Sequence, residues 1–471
     1  MWNASFRELD FTLMENYFYE GKQVSMDEYY RRNDWCWGCD RIRQQYLPHN
    51  DCIIVYLEDY LCKSEEGGRD DEYRLLLDFF TLSDYIRFQE IVGYRFNRDK
   101  EYKDGQENNM LRTTFFTIHN YRTKDKPQKD AHYYLNLYEL EGVELKTEND
   151  GEEGFPLLYS FLLPSKAEDN QTNDRLLYLT QPLAYPQMVF RSLYERNVPA
   201  IISNVEKVDL LAWNVGQGNY NEIRIGGEEG EPYVVFDAGT DILRDKKRFA
   251  IRMRMLESRL MKGELPLFVL SHWHTDHYSL LIAQSDRTLS NVLNYVMPSY
   301  VKSLSVFLFI ARLNLLGKSN IDMVKLPYSS RWLDVKLNEN LMLYANRYEH
   351  NNVNDSGLTL FVKGPNGNAM LPGDCKYALA EGETNEAIEK MGTKNRNLCL
   401  VIPHHGGNAG KKVSYNVPDA KAIEGIVSVG VNGYGHPKKD VIDKIRKDVP
   451  KIRKTITPED LNGGDCVEVE L

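Results

Sequence analysis

The chain has 471 residues, 42% of them apolar and 27% charged, which is the balance of an ordinary globular protein with two or three cores rather than a disordered or fibrous chain. Its net charge of −11 is uneven: residues 1–204 hold 24 Lys and Arg against 36 Asp and Glu, whereas 205–471 hold 34 against 33. An acidic front half is a poor surface for nucleic acid, a near-neutral back half leaves that partner open, and no run approaches the ~18 uninterrupted apolar residues of a membrane-spanning helix.

Taken in order, the first residues include Glu8, Asp10 and Glu15 and lack the basic region and apolar stretch of a signal peptide, so a cytoplasmic protein is expected. Seven cysteines, an odd number scattered over a long chain, also fit a reducing compartment better than a disulfide framework. Cys36-Trp37-Gly38-Cys39 is a CxxC, but Cys52 and Cys62 are separated by nine residues rather than two, so ordinary cysteines are expected. Strand patterns fall at 52–57, 113–120, 132–140, 156–163 and 176–179, with polar loops at 123–130 and 147–153. Helical patterns fall at 72–80 and at 186–196, where Pro186 suits a first turn. Residues 1–204 are therefore expected to form an acidic α+β domain with an antiparallel sheet, available as a partner-binding or sensing module.

From residue 205 the composition changes. An apolar run from Val208 enters the turn Asn214-Val215-Gly216-Gln217-Gly218-Asn219, whose glycines permit backbone closed to other residues, and a second strand is expected over 221–225. The buried strand at 233–239 ends in Asp237, which can orient a metal-bound histidine or cap the next segment. The pattern at 243–261 is a helix bearing Lys246, Lys247, Arg248, Arg252, Arg254 and Arg259. A solvated outer face packed through Ile251, Met255 and Leu260 is the favoured reading over contact with phosphates.

The next strand, Leu267-Phe268-Val269-Leu270, delivers Ser271-His272-Trp273-His274-Thr275-Asp276-His277. The whole chain has ten histidines, and three of them fall within these seven residues, which argues for a metal site rather than a solvated loop. His272 and His274 can grip one ion, and Asp276 and His277 can reach a second. Mixed imidazole and carboxylate ligation suits zinc, manganese or iron in a catalytic site. The long connection at 281–348 holds an apolar core helix near 301–316, expected to flank the cleft. Further on, short apolar strands deliver Asp374, then His404 and His405, then Tyr434 and His436, so ligand-type side chains gather at like strand ends. His405 is favoured as a ligand and His404 as a substrate contact, although the reverse order is open. Cys375 is expected to be buried. The tail reads as strands at 451–457 and 463–471, with Lys447, Lys451, Arg453 and Lys454 making a modest basic stretch.

In the same order, Asn214-Val215-Gly216-Gln217-Gly218, Phe236-Asp237-Ala238-Gly239, Ser271 to His277, Pro372-Gly373-Asp374, Ile402 to Gly407 and Ser428 to Pro437 resemble the metallo-β-lactamase superfamily. The nearest branch is the soluble domain of ComEC-type competence proteins, and the resemblance covers about 207–471. It implies an αββα sandwich over residues 205–471. It also implies two divalent ions, zinc or manganese, one held by His272, His274 and His405 and the other by Asp276, His277 and His436, with Asp374 bridging. The implied activity is a binuclear metal-dependent phosphodiesterase, a soluble nuclease acting on DNA. The catalytic roles fall to Asp276, Asp374 and His404, and the supporting or substrate roles to Gln217, Asp237, Asn354 and Ser356. Where the superfamily often has a further histidine, this chain has Asn354 and Ser356, with His350 as a spare candidate. Tyr278-Ser279-Leu280 replace the usual glycines, and Asn219 an acidic residue. The competing readings are a phosphodiesterase for a cyclic nucleotide or signalling dinucleotide, and an effector subunit of a multiprotein, defence-related complex.

Overall fold

The computed structural model describes residues 52–63, 71–79, 116–123, 127, 129, 132–136, 162–164, 207–227, 230–242, 246–298, 303–316, 320–324, 332–346, 353–354, 357–411, 413–430, 432, 435–455 and 466–471. The expectations for Cys36, Cys39, 176–179, 186–196, His350, Ser356 and Tyr434 lie outside these residues. The chain divides into two compact units, Met1–Gln187 with Val301–Leu315, and Met188–Tyr300 with Leu316–Leu471. No helix among the described residues is long and apolar enough to cross a membrane.

The first unit holds a five-stranded antiparallel sheet in the order β3-β2-β1-β4-β5. Its strands are β1 (Cys52–Lys63), β2 (Asp71–Phe79), β3 (Phe116–Thr123), β4 (His132–Asn136) and β5 (Leu162–Pro164). The helix expected at 72–80 is instead β2, paired antiparallel with β1 from Val55↔Phe79 to Lys63↔Glu72, with a shift of register between Leu57 and Asp59. Leu75, Leu76 and Leu77 are all buried, so both faces of β2 are covered, and a continuous apolar run of this kind carries no period to tell strand from helix. The apolar helix Leu304–Leu316 belongs with this unit rather than with the rest of the back half. Asp78 ties its first turn, accepting a hydrogen bond from Ser305 N at 2.8 Å.

The second unit contains two seven-stranded mixed sheets. The first runs β11-β10-β9-β8-β7-β6-β19 and the second β12-β13-β14-β15-β16-β17-β18. In the first sheet, β6 (Val208–Trp213), β7 (Tyr220–Ile225) and β8 (Glu231–Ala238) are antiparallel. Parallel strands β9 (Leu267–Val269), β10 (Asn294–Pro298) and β11 (Asn320–Val324) follow. The second sheet repeats this plan. Its antiparallel strands are β12 (Trp332–Lys336), β13 (Leu341–Asn346), β14 (Leu358–Lys363) and β15 (Gly367–Leu371), and β16 (Asn397–Val401), β17 (Ala422–Val427) and β18 (Lys451–Lys454) then run parallel to β15. The last strand, β19 (Cys466–Glu470), pairs with β6, so the two tail strands expected from the sequence lie in different sheets.

Helices occupy the crossovers. Helix α1 (Lys246–Leu260) links β8 to β9, and α2 (Thr275–Ile282) and α3 (Asp286–Leu289) link β9 to β10. The helix of the first unit, α4 (Leu304–Leu316), precedes β11, while α5 (Tyr377–Met391) and α6 (Lys439–Ile445) serve the second sheet. The basic helix is partly structural, since Arg259 is buried against Glu222 and Arg252 donates to Thr240 Oγ1 at 2.9 Å. On one face of the second sheet, Met342, Tyr344, Phe361, Met370, Leu398 and Leu400 pack with Ala387 and Ile388 of α5 and Val441 and Ile445 of α6. The alternate residues of β14, Leu358, Leu360 and Val362, are buried too, so this sheet is covered on both faces. Parallel strands align their C-terminal ends, and the crevice beyond those ends is where mixed sheets hold ligands.

Candidate metal centre

The side chains delivered at these strand ends come together. Asp237 ends β8, His272, His274, Asp276 and His277 follow β9, Asp374 follows β15, His404 and His405 follow β16, and His436 lies beyond β17. Five of them form two donor groups: His272, His277 and Asp374 in one, Asp276, His277 and His405 in the other, each within 4.8 Å and wholly buried. Both share His277. The distances run 3.3 Å from His277 Nε2 to Asp374 Oδ1, 3.5 Å from His405 Nε2 to Asp276 Oδ2, and 3.7 Å from His405 Nε2 to Asp374 Oδ1. On the other oxygen of Asp374, His272 Nε2 and His404 Nε2 each lie at 3.9 Å. His274 presents Nδ1 to His272 Nε2 at 2.9 Å.

The imidazoles are aimed from behind. Asp237 Oδ2 lies 2.9 Å from His277 Nδ1, the Ser428 carbonyl 2.7 Å from His405 Nδ1, the Asn408 carbonyl 3.1 Å from His404 Nδ1, and Ser271 Oγ 2.9 Å from His272 Nδ1. Each bond fixes a ring plane and leaves Nε2 facing inward. The Nε2 atoms of His277 and His405 are buried and have no hydrogen-bond partner among the described residues. Buried polar atoms left in that state are costly, and a cation between them and the carboxylates would satisfy both. This donor set fits a divalent metal.

Electrostatics point the same way. Burial alone would lower the His277 pKa, yet Asp374 and Asp237 outweigh it and push the ring well above its ordinary value. Burial would raise Asp374, yet His277, His405 and His404 hold it well below the usual carboxylate range. The cavity is thus arranged to stabilise positive charge among carboxylates. His436, by contrast, is pushed down to about 3 by burial and by His404 and His405, which keeps it a neutral, ligand-competent ring.

Of the remaining expected residues, His436 lies beside His404 and His405, at ring-centroid distances of 5.1 and 6.5 Å. His404 is 24% exposed and forms the lip, where Asn354 Nδ2 approaches its Nε2 at 3.4 Å; His405, at 3%, is inside. Gln217 is buried in the loop between β6 and β7, and its main chain passes so close to Gly430 that a side chain there would overlap it. Cys375 is buried.

Two contributors were not read from the sequence. Ser271 donates its N–H and its hydroxyl to Asp237, at 2.6 and 2.8 Å. Asn219 donates Nδ2 to Asp237 Oδ2 at 2.9 Å, an amide partner that adds no second carboxylate beside the first. No local period or spacing marks either residue, because both act through a partner distant in sequence. The packing around them also explains Gly239, where a Cβ would lie 2.3 Å from the backbone of Asp276 and His277. No protein-family model matches the chain, and no curated protein matches it in sequence.

Proposed function

We propose that the second unit is an αββα sandwich of the metallo-β-lactamase type and a binuclear metal-dependent phosphodiesterase that cleaves nucleic acid, DNA foremost. The observation that carries this reading is the convergence of imidazole nitrogens on Asp374 and Asp276, with the outer nitrogens of four rings held by the protein. The two covered mixed sheets of repeated plan support the sandwich. His272, His277 and Asp374 would hold one ion and Asp276, His277 and His405 the other, with His274 and His436 beside them, whereas the resemblance implies a set of His272, His274 and His405 and a set of Asp276, His277 and His436. Such ions, when bound, act as Lewis acids and bring the pKa of water to about 7.

The chain's own groups do the rest. Asp237 and the Ser428 carbonyl keep His277 and His405 in the tautomer that turns Nε2 inward. As the water oxygen bonds to phosphorus, the bond from phosphorus to the departing sugar oxygen breaks; the Asp276 carboxylate takes up the water's proton, and the leaving oxygen is protonated from solvent. At the lip, His404 and Asn354 are assigned to the phosphate oxygens of the substrate. The test is to incubate purified full-length protein with Mn²⁺ or Zn²⁺ and labelled single- and double-stranded DNA, RNA, and bis(p-nitrophenyl) phosphate. Cleavage is expected, with its loss in Asp374→Ala and His274→Ala. Full activity in both variants would overturn the assignment, and cleavage of the small diester alone would transfer it to a small-molecule phosphodiesterase.

A further inference from the structure

His272, His277, His404 and His405 are each held at Nδ1 by an oxygen atom. His436 is gripped differently, through its main chain. Asn432 Nδ2 donates to the His436 carbonyl at 2.8 Å, and Asn432 Oδ1 accepts from His436 N at 3.0 Å. A side-chain amide carries the donor and acceptor of a peptide group, so these two bonds reproduce the exchange made by a hydrogen-bonded pair in an antiparallel ladder. Asn432 Nδ2 also donates to the Gly430 carbonyl, at 2.8 Å. Gly430 is itself pressed on the turn between β6 and β7, where a Cβ would lie 2.2 Å from Gln217 N.

On the other side, the segment from His436 to Lys438 is docked on the loop that carries His404 and His405. Lys438 N donates to the Gly406 carbonyl at 3.0 Å, and a Cβ on Gly406 would lie 2.7 Å from Pro437 Cβ. A Cβ on Gly407 would lie 2.4 Å from His436 Nε2. Gly407 has φ −83° and ψ −177°, extended backbone open to any residue. What glycine provides there is room, and the His436 ring fills it. The ring then stands 5.1 Å from that of His404 and 6.5 Å from that of His405, between centroids.

We propose that Asn432 is a positioning residue, whose amide clamps the main chain of His436 and so sets that imidazole beside His404 and His405 at the candidate metal centre. An amide is required, because the same group donates to two carbonyls and accepts from one N–H. An aspartate would keep the acceptor and turn a carboxylate oxygen on the carbonyls of Gly430 and His436. This assignment rests on the metal-centre reading for its metal-binding arm but not for its structural arm. Residues that aim a ligand from behind are worth about 10–100-fold in metal affinity.

The experiment uses full-length wild type, Asn432→Asp, His436→Ala and the double variant, with Zn²⁺ affinity read by competition with a chromophoric chelator. Asn432→Asp and His436→Ala are each expected to weaken binding about 10–100-fold. Because Asn432 acts through His436, the double variant should bind within about threefold of His436→Ala. Multiplied losses in the double variant, or full affinity in Asn432→Asp, would overturn the assignment. Gly407→Ala approaches the ring from the other side and should weaken binding about tenfold when His436 is present and little in the His436→Ala background. Equal losses in both backgrounds would count against it. In metal-free protein carrying isotope-labelled histidine, the Overhauser contact between the rings of His436 and His404 is expected in wild type and lost in Asn432→Asp; its retention there would also overturn the assignment. If wild type binds no Zn²⁺ yet that contact is lost in the variant, the metal-centre reading fails and the positioning stands. If wild type binds Zn²⁺ and Asn432→Asp binds it equally well, the positioning fails and the metal-centre reading stands.

Discussion

Glu383 offers a test of the second unit's packing that is independent of any metal. It lies on the face of α5 turned to the sheet, where Thr359 Oγ1 of β14 donates to its Oε2 at 2.7 Å. The other oxygen, Oε1, is buried with no hydrogen-bond partner among the described residues. Burial, opposed by the Thr359 bond and aided by the nearby Glu386, pushes this carboxyl from 4.5 up to about 8, so it is neutral at pH 7. The unfolded chain gives up that proton near 4.5, and the folded chain keeps it. The stabilisation is therefore fully present below pH 4.5 and lost as pH rises towards 8. At 1.36 kcal/mol per pH unit, the interval from 4.5 to 7 corresponds to about 3 kcal/mol. Glu383→Gln keeps an acceptor for Thr359 and removes the titration. Its amide N–H adds a desolvation cost of about 1–3 kcal/mol, but that offset is the same at every pH. The expected result is a stability difference, variant minus wild type, that grows by about 3 kcal/mol between pH 4.5 and 7 and levels off above 8. Urea unfolding followed by Trp fluorescence measures it, with Trp332 packed on Gly382 as a local reporter. Parallel stability curves for the two proteins would refute the reasoning.

Four further outcomes are expected. EDTA should lower the melting temperature and Zn²⁺ or Mn²⁺ restore it, because the buried Nε2 atoms of His277 and His405 lose their counterpart; calorimetry checks this. Asp237→Asn retains a residue that tolerates left-handed backbone but weakens the hold on His277, so metal affinity in a competition titration should fall about 10–100-fold. Gly239→Ala places a methyl group against the Asp276 and His277 backbone and should cost about 1–3 kcal/mol in denaturant unfolding, with weaker metal binding. Asp78→Ala removes the acceptor at the first turn of α4 and should destabilise the first unit by about 0.5–2 kcal/mol, read from hydrogen exchange of that helix.

The candidate site of the second unit was legible in the sequence because its histidines and aspartates follow short apolar strands. Leu267–Val269, Gly367–Leu371 and Asn397–Val401 are buried strands, and each is followed by residues of the candidate metal centre. Local order thus carried the spatial order. What could not be read was any relation between distant segments. The bonds from Ser271 and Asn219 to Asp237 link different strands, and α4 is tied through Ser305 to Asp78 of β2, 227 residues earlier in the chain. In the first unit, β2 defeated the helical reading because three consecutive leucines bury both faces of a strand as readily as one side of a helix.

Backbone strain gives an independent measure of where this fold departs from relaxed geometry. Four non-glycine residues among those described have positive φ: Asp237, Asn395, His404 and His405, at 60, 63, 52 and 51°. Asn395 is of a type that visits this region readily. The other three belong to the metal centre. Histidines in left-handed backbone cost about 1–3 kcal/mol each and persist only where surrounding bonds hold them. Those bonds are present: Ser428 on His405, Asn408 on His404, and Ser271, Asn219 and His277 on Asp237. Left-handed backbone at two successive histidines sends one ring inward to Asp276 and Asp374 and leaves the other at the lip, which a regular strand or helix end does not do. A turn serving packing alone would relax by placing glycine or asparagine there. The strained backbone places the His405 imidazole in a buried group of donors able to hold a cation, and the bonds from Ser428 and Asn408 hold the two rings there.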